Sequence, residues 1–207
     1  MTRTKPGKIV IISSPSGGGK TSICRRLLSR TRKAAGWQFS VSYTTRDRRR
    51  GEKHGQQYYF VSPEEFDRKA RWDFFAEHFR VHLYRYGTPR KPLEAVLKSG
   101  GVMILDVDVK GAKRLNKVYP DAITIFILPP SIKILRRRLT RRGTETSRQL
   151  KVRFENAKKE MRLYKKFEYA VINDNLDQAT REVLSIIESH HCRVEKLKPE
   201  QIKQILG

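Results

Sequence analysis

Eight consecutive residues restrict this chain more than any others: Ser14-Pro15-Ser16-Gly17-Gly18-Gly19-Lys20-Thr21. They follow a short apolar run, Lys8 to Ile12, that reads as a buried strand. They open a segment, Thr21 to Arg30, in which Cys24, Leu27 and Leu28 share one helical face. Strand, glycine-rich loop and helix in that order fit the pattern GxxxxGK[ST]. Glycines let successive backbone N–H groups turn inward around phosphate oxygens, and the helix N-terminus adds positive potential. All eight residues are therefore expected to bind a nucleotide's phosphates. Lys20 is expected at the β- and γ-phosphates, and Thr21 is expected to offer its hydroxyl to Mg²⁺. Ser14 departs from the pattern, because glycine belongs there, so the turn must form without glycine's freedom. The alternative, a glycine-rich turn with a chance lysine, does not account for the strand before it and the helix after it.

Apolar β-branched runs recur downstream, each followed by a helical pattern. Val102 to Val107 precedes a helix from about Lys110. Ala122 to Leu128 precedes a helix marked by Ile132, Leu135 and Leu139. Tyr169 to Ile172 precedes Leu176 to Ile187. Strands alternating with helices predict an α/β fold with a parallel sheet covered on both faces. Two segments break the rhythm. Gln38 to Pro89 carries extended patches and one short helix, with Ser62 and Glu65 spaced as a capping box, and predicts a small mostly-β insertion. Thr140 to Arg148 is polar and arginine-rich between two helices, as a mobile flap would be.

The insertion narrows the chemistry. Phe39 to Arg46 (FSVSYTTR), Arg49, Gly51-Glu52, His54-Gly55, Tyr58 and Phe60-Val61 stand in one order, followed by Glu77, Tyr86-Gly87-Thr88 and Leu105 to Asp108 (LDVD). Phe126 to Ser131 (FILPPS) and Val171 to Asp174 (VIND) complete the series. With these blocks the chain resembles guanylate kinase from about Gly7 to Ser189. The resemblance implies one domain: a P-loop core (1–37, 90–139 and 155–207), a GMP-binding insertion (38–89) and a helical lid (140–154). It implies transfer of the γ-phosphoryl of ATP, as Mg-ATP, to GMP and to dGMP, a step of GMP recycling in purine nucleotide metabolism. It also implies that Ser42, Arg46, Arg49, Tyr58, Glu77, Tyr86, Thr88 and Asp108 line the GMP site. The residue types suit that task. Arg46 and Arg49 can grip a phosphate with charge-assisted bonds, and Tyr58 and Tyr86 can add O–H donors. Guanine's N1–H and N2–H₂ need acceptors, which Glu77 and Asp108 are when ionised, while Ser42 or Thr88 can donate to O6. Leu83-Tyr84-Arg85 departs from the family's usual Gly-Asn-Tyr, and Arg48 stands where proline is common.

By the same resemblance Arg138, Arg142 and Arg153 clamp phosphates from the lid, and Asn173 lies near the adenine of ATP. Arg136, Arg137 and Arg141 are not carried over. The reaction needs no general base, since the attacking GMP phosphate oxygen is already anionic. Positioning and charge neutralisation by Lys20, the lid arginines and Mg²⁺ then carry the catalysis. Asp106 is the candidate to hold the metal's water shell together with Thr21.

Composition limits the remaining possibilities. The longest apolar runs fall far short of the ~20 residues of a membrane span. The basic N-terminus lacks a signal's apolar stretch, and two cysteines, Cys24 and Cys192, make no disulfide framework. A cytoplasmic protein is expected. A net charge of +24 predicts attraction to polyanions. Much of it, Lys158, Lys159, Lys165 and Lys166 among others, lies outside the expected site, so nucleic-acid binding is expected to be non-specific at most. A non-catalytic relative that binds a protein ligand could have lost its loop, whereas Gly19-Lys20-Thr21 is intact here. A kinase for another acceptor would have no use for both Glu77 and Asp108. His78 and His82 have helix-type zinc spacing in a stretch that reads as strand. His190, His191 and Cys192 read as surface residues and Cys24 as core. Nothing in the sequence fixes the oligomeric state.

Overall fold

The computed structural model describes residues 7–31, 36–49, 51–81, 83–140, 147–194 and 199–206. Strand β1 (Lys8–Ser13) runs into the glycine loop and α1 (Lys20–Thr31), then β2 (Trp37–Phe39). A second sheet follows: β3 (Tyr43–Thr44), β4 (Tyr59–Phe60), helix α2 (Pro63–Arg71), β5 (Phe75–Val81) and β6 (Tyr84–Pro89). The chain returns through α3 (Arg90–Ser99), β7 (Val102–Asp106), α4 (Val109–Val118), β8 (Ile123–Leu128) and α5 (Ile132–Thr140). It ends with α6 (Ser147–Met161), β9 (Tyr169–Ile172), α7 (Leu176–Ser189) and α8 (Pro199–Leu206).

The main sheet is parallel, in the order β2-β7-β1-β8-β9. Its strands are apolar at consecutive positions because both faces are covered. Val10, Ile12, Ile104, Ile125 and Ile127 pack against Ile23 and Leu27 of α1 and Val183 and Ile187 of α7. The alternate residues Ile9, Ile11, Met103 and Leu105 pack against Leu93 and Val96 of α3 and Leu115 of α4. Each such buried aliphatic side chain contributes roughly 1.5–3 kcal/mol. The chain passes from β1 out to β2 on one side, and later crosses from β7 to β8 on the other. The carboxyl end of β1 therefore sits at a topological switch point, where open α/β sheets bind ligands.

The small sheet, β4-β3-β6-β5, is mixed: β3 pairs parallel with β4 and antiparallel with β6. Its core is aromatic. Tyr43 stacks on Tyr59 at 4.6 Å, and Phe66 of α2 stacks on Phe75 at the same distance. A Cβ on Gly87 would collide with the Phe75 ring, so β6 needs glycine there. Ser62 caps α2, its Oγ accepting from the Glu65 N–H. Gln38 and Phe39, expected to begin the insertion, are instead the last residues of β2 at the main sheet's edge. Most of the expected flap, 141–146, lies outside the described residues, and α6 runs unbroken through position 154. His190, expected at the surface, is buried in the turn that directly follows α7, whereas Cys192 is exposed. Among the described residues no helix is long and apolar enough to cross a membrane.

Candidate active site

The glycine loop joins β1 to α1 at the switch point. Gly19 has φ +95°, and a side chain there would run into the Asn173 amide, so that position needs glycine twice over. Ser14 needs no such freedom: the single positive-φ residue other than glycine among the described residues is Asp73. The Ser14 hydroxyl donates to the Pro15 carbonyl at 3.0 Å, and Gly18 N–H donates to that same carbonyl at 2.9 Å.

Lys20 Nζ donates to the Val107 carbonyl at 2.7 Å and forms an ion pair with Asp106 at the end of β7. Burial pulls the Lys20 pKa down, but the Asp106 carboxylate pushes it up further, and the net shift is upward. Thr21 Oγ1 donates to Asp106 Oδ2 at 3.2 Å. Lys20, Thr21 and Asp106 thus form one cluster at the mouth of the loop.

The loop is braced from behind. Asn173 Nδ2 donates to the Gly18 carbonyl at 2.9 Å, and Arg138 Nη2 donates to the Asn173 carbonyl at 2.9 Å. Both residues therefore contact the phosphate loop and its support. From α6, Arg153 Nη2 donates to Ser16 Oγ at 2.8 Å, and Glu160 Oε2 accepts from Ser16 N–H at 3.2 Å. Glu160 was not singled out in the sequence. Its signal is spacing: seven residues after Arg153 is two turns along the same helix face. Burial raises its carboxyl pKa, with the Ser16 N–H opposing and Asp108 adding to the rise. Arg142 lies outside the described residues.

The small sheet carries the other half. Glu77 on β5 and Thr88 on β6 are directly opposed, and Thr88 Oγ1 donates to Glu77 Oε1 at 2.8 Å. Both are buried, and Glu77 Oε2 has no hydrogen-bond partner. Burial pushes the Glu77 pKa up to about 7; Thr88 opposes this, nearby Asp108 adds to it, and Arg114 opposes it. Asp108 caps α4, its Oδ1 accepting from Gly111 N–H at 2.7 Å. Arg114, also missed in the sequence, donates to the His78 carbonyl at 2.8 Å and lies over the Phe79 ring.

Arg46 is buried under the rings of Tyr58 and Phe60, each 5.6 Å away. Its Nη2 donates to both oxygens of Glu52, at 2.8 and 3.0 Å, and Arg49 N–H donates to Glu52 Oε2 at 2.8 Å. Burial would raise the Glu52 carboxyl, but the bonds from Arg46 and Arg49 win and hold it below its usual range. Glu52 is thus the hub between the two arginines, whereas the sequence presented it without a role. The Arg49 side chain is exposed. Tyr58 and Tyr86 meet edge to face at 5.9 Å. Burial raises the Tyr58 pKa, with Lys20 opposing the rise and Asp106 adding to it. Ser42 is half-buried, its carbonyl accepting from Tyr59 N–H. The Leu83-Tyr84-Arg85 departure falls at the β5–β6 turn. Leu83 is exposed there, and Arg85 pairs with Asp67 of α2, so the altered residues tie the hairpin to α2 and leave Glu77 and Thr88 untouched.

No group of three or more His, Cys, Asp or Glu that could hold a metal exists among the described residues. Thr21 and Asp106 suit a different arrangement, in which a hard cation takes one or two protein oxygens and completes its shell with phosphates and water.

The sequence profile of guanylate kinase matches residues 6–190. A guanylate kinase of Clostridium tetani is 43% identical over 192 residues, covering 93% of this chain and 90% of that relative. One from Thermotoga maritima is 40% identical over 188 residues, covering 91% and 89%. The crystal structure of guanylate kinase from Anaplasma phagocytophilum superposes with a TM-score of 0.78 at 29% identity, over 95% of this chain and 93% of that one. With its phosphate loop, parallel sheet and small carboxylate-bearing lobe, the chain belongs to the guanylate kinase family.

Proposed function

We propose that the chain carries out its family's reaction, transferring the γ-phosphoryl group of ATP to GMP and giving ADP and GDP, with dGMP as an alternative acceptor. The observation that carries this reading is the buried Glu77 carboxylate, one oxygen bonded to Thr88 and the other without a partner, in the same molecule as the Lys20 loop. A buried acceptor without a donor is costly, and guanine's N1–H and N2–H₂ supply donors.

ATP is held by Ser14 to Thr21. Lys20 turns from Asp106 to the β- and γ-phosphates, while Asn173 and Arg138 keep the loop in shape from behind. Arg138, Arg142 and Arg153 supply positive charge around the transferring group. Thr21 and Asp106 would hold Mg²⁺, which when bound neutralises charge on the β- and γ-phosphates. Arg46 and Arg49 receive the GMP phosphate, with Tyr58 and Tyr86 as hydroxyl donors. Glu77 and Asp108 accept from the base, and Ser42 or Thr88 donates to O6. An anionic oxygen of the GMP phosphate attacks the γ-phosphorus. The bond to the β–γ bridging oxygen breaks, and its electron pair leaves with ADP. No proton need be removed from the nucleophile, so the protein's contribution is alignment and charge stabilisation. The insertion, 40–89, and the segment 140–154 act as the GMP lobe and the lid, closing to keep water from the γ-phosphate. A cytoplasmic setting suits the substrates. ADP release with Mg-ATP, compared across GMP, dGMP, AMP, CMP and UMP, tests the reading: GMP and dGMP should be turned over, and a folded sample inactive on GMP would refute it.

A further inference from the structure

A cavity of about 440 Å³ lies along α4, between that helix and the stretch 163–167, and none of the residues that line it is among the phosphate-loop or GMP-site residues above. Lys110, Lys113 and Lys117 approach it from α4 and Lys166 from the facing side, and no Asp or Glu lines it. The three α4 lysines recur at intervals of three and four, which puts them on one helix face. The floor is apolar, with Leu163 and Phe167 half-buried and the Phe167 ring resting on the buried Phe126 at 4.9 Å.

Several helix cations elsewhere are matched: Arg26 and Arg30 share Asp177, Lys69 meets Glu65, and Lys158 meets Glu155. None of the four cavity lysines has a hydrogen-bond or ion-pair partner among the described residues. Four lysines lining one concavity with no acidic residue give it a positive potential, which a multiply charged anion neutralises. The volume suits a small molecule. A partly open hollow with an apolar floor favours a compact ligand with a flat apolar end over a polymer that must be tracked along its backbone.

We propose that this cavity is a second, non-catalytic site for a nucleoside polyphosphate, with the base on Leu163 and Phe167 and the phosphates among the four lysines. The occupant would sit on the helix whose first turn is capped by Asp108, so it would touch an element of the GMP site without entering it.

The test uses the full chain with its catalytic cleft filled by a dinucleotide in which adenosine and guanosine are joined through five phosphates. GTP is then titrated by calorimetry, with inorganic tripolyphosphate and a short RNA run as separate probes. GTP should bind in a further 1:1 step with a Kd below ~1 mM. Lys113→Glu with Lys117→Glu should weaken that step at least ~10-fold, for two contacts reversed in charge, while GMP turnover stays at the wild-type rate. Phe167→Ala should weaken GTP but not tripolyphosphate. No further GTP binding, binding indifferent to the lysine reversals, tripolyphosphate binding as tightly as GTP, or RNA displacing GTP at lower concentration would each overturn the proposal.

Discussion

The phosphate loop and the small lobe solve opposite problems. Around the loop, the charged side chains named above are bonded within the chain, Lys20 to Asp106 and Val107, Arg153 and Glu160 to Ser16, and the buried atoms without a partner are neutral, Ser13 Oγ and Asn173 Oδ1. In the lobe the buried atom without a partner is a carboxylate oxygen, that of Glu77, beside a sheet built from aromatic rings. The difference follows from what each half recognises. Phosphate is met by backbone N–H groups and a lysine in almost any nucleotide, so a closed, self-supporting loop suffices. A base must be told from other bases, and discrimination is strongest where a buried polar group is left unpaired by the wrong ligand.

The largest effect should come from the loop. Lys20→Met should lower kcat by ~10²–10³-fold, the usual cost of losing one electrostatic contact to the transferring group, with GMP affinity near wild type. A matching loss of GMP affinity in a titration would mean that the two halves are not separate.

In the lobe, Arg46→Ala should cost ~1.5–3 kcal/mol in kcat/KM for GMP, about 10- to 100-fold. Glu52→Ala should cost less, because it removes the hub that orients Arg46 but leaves the guanidinium in place. Steady-state kinetics on both variants checks the order; a Glu52→Ala loss larger than that of Arg46→Ala would reverse the assigned roles.

The raised Glu77 pKa makes a prediction about stability. A carboxyl at about 7 in the folded chain holds a proton that the unfolded chain, near its ordinary value of 4.5, has already lost. Between those values the folded state binds more protons, so stability falls as pH rises through that window, by up to about 3 kcal/mol. Glu77→Gln should flatten this slope in urea unfolding at pH 5 and pH 8. Equal slopes for the two proteins would show that Glu77 is charged and solvated in the free enzyme.

The smallest effect concerns Glu160, a carboxylate beside a loop that binds anions. Glu160→Gln should lower KM for ATP a few-fold, since a partly screened like charge is worth ~0.5–1 kcal/mol. A rise in KM would make the Ser16 N–H bond the more important role of that side chain.

Much of this was legible in the sequence, for identifiable reasons. The strands of the main sheet announce themselves because burial on two faces requires unbroken apolar runs such as Ile9 to Ile12. The Ser62 cap and the glycine loop are local chemistry, and local chemistry is readable. β2 was misplaced because it is three residues at an edge, Trp37 and Phe39 half-buried and Gln38 exposed, where the pattern is weak. Glu52, Arg114 and Glu160 escaped because each acts through a fold contact, and a lone charged residue in a basic sequence carries no mark of its partner. His190 could have been found: it follows Val183 and Ile187 at helical spacing.

The central claim is that Glu77 reads the base, and the ratio of kcat/KM for GMP to that for AMP tests it most directly, in the wild type and in Glu77→Gln. Adenine presents its N1 as an acceptor against the carboxylate, so the wild-type ratio should be ~10⁴ or more. Glu77→Gln keeps the shape, weakens the acceptor and adds an amide donor. It should lower kcat/KM for GMP and narrow the ratio by at least ~10-fold, with KM for ATP nearly unchanged. A variant that keeps the wild-type ratio would contradict the account.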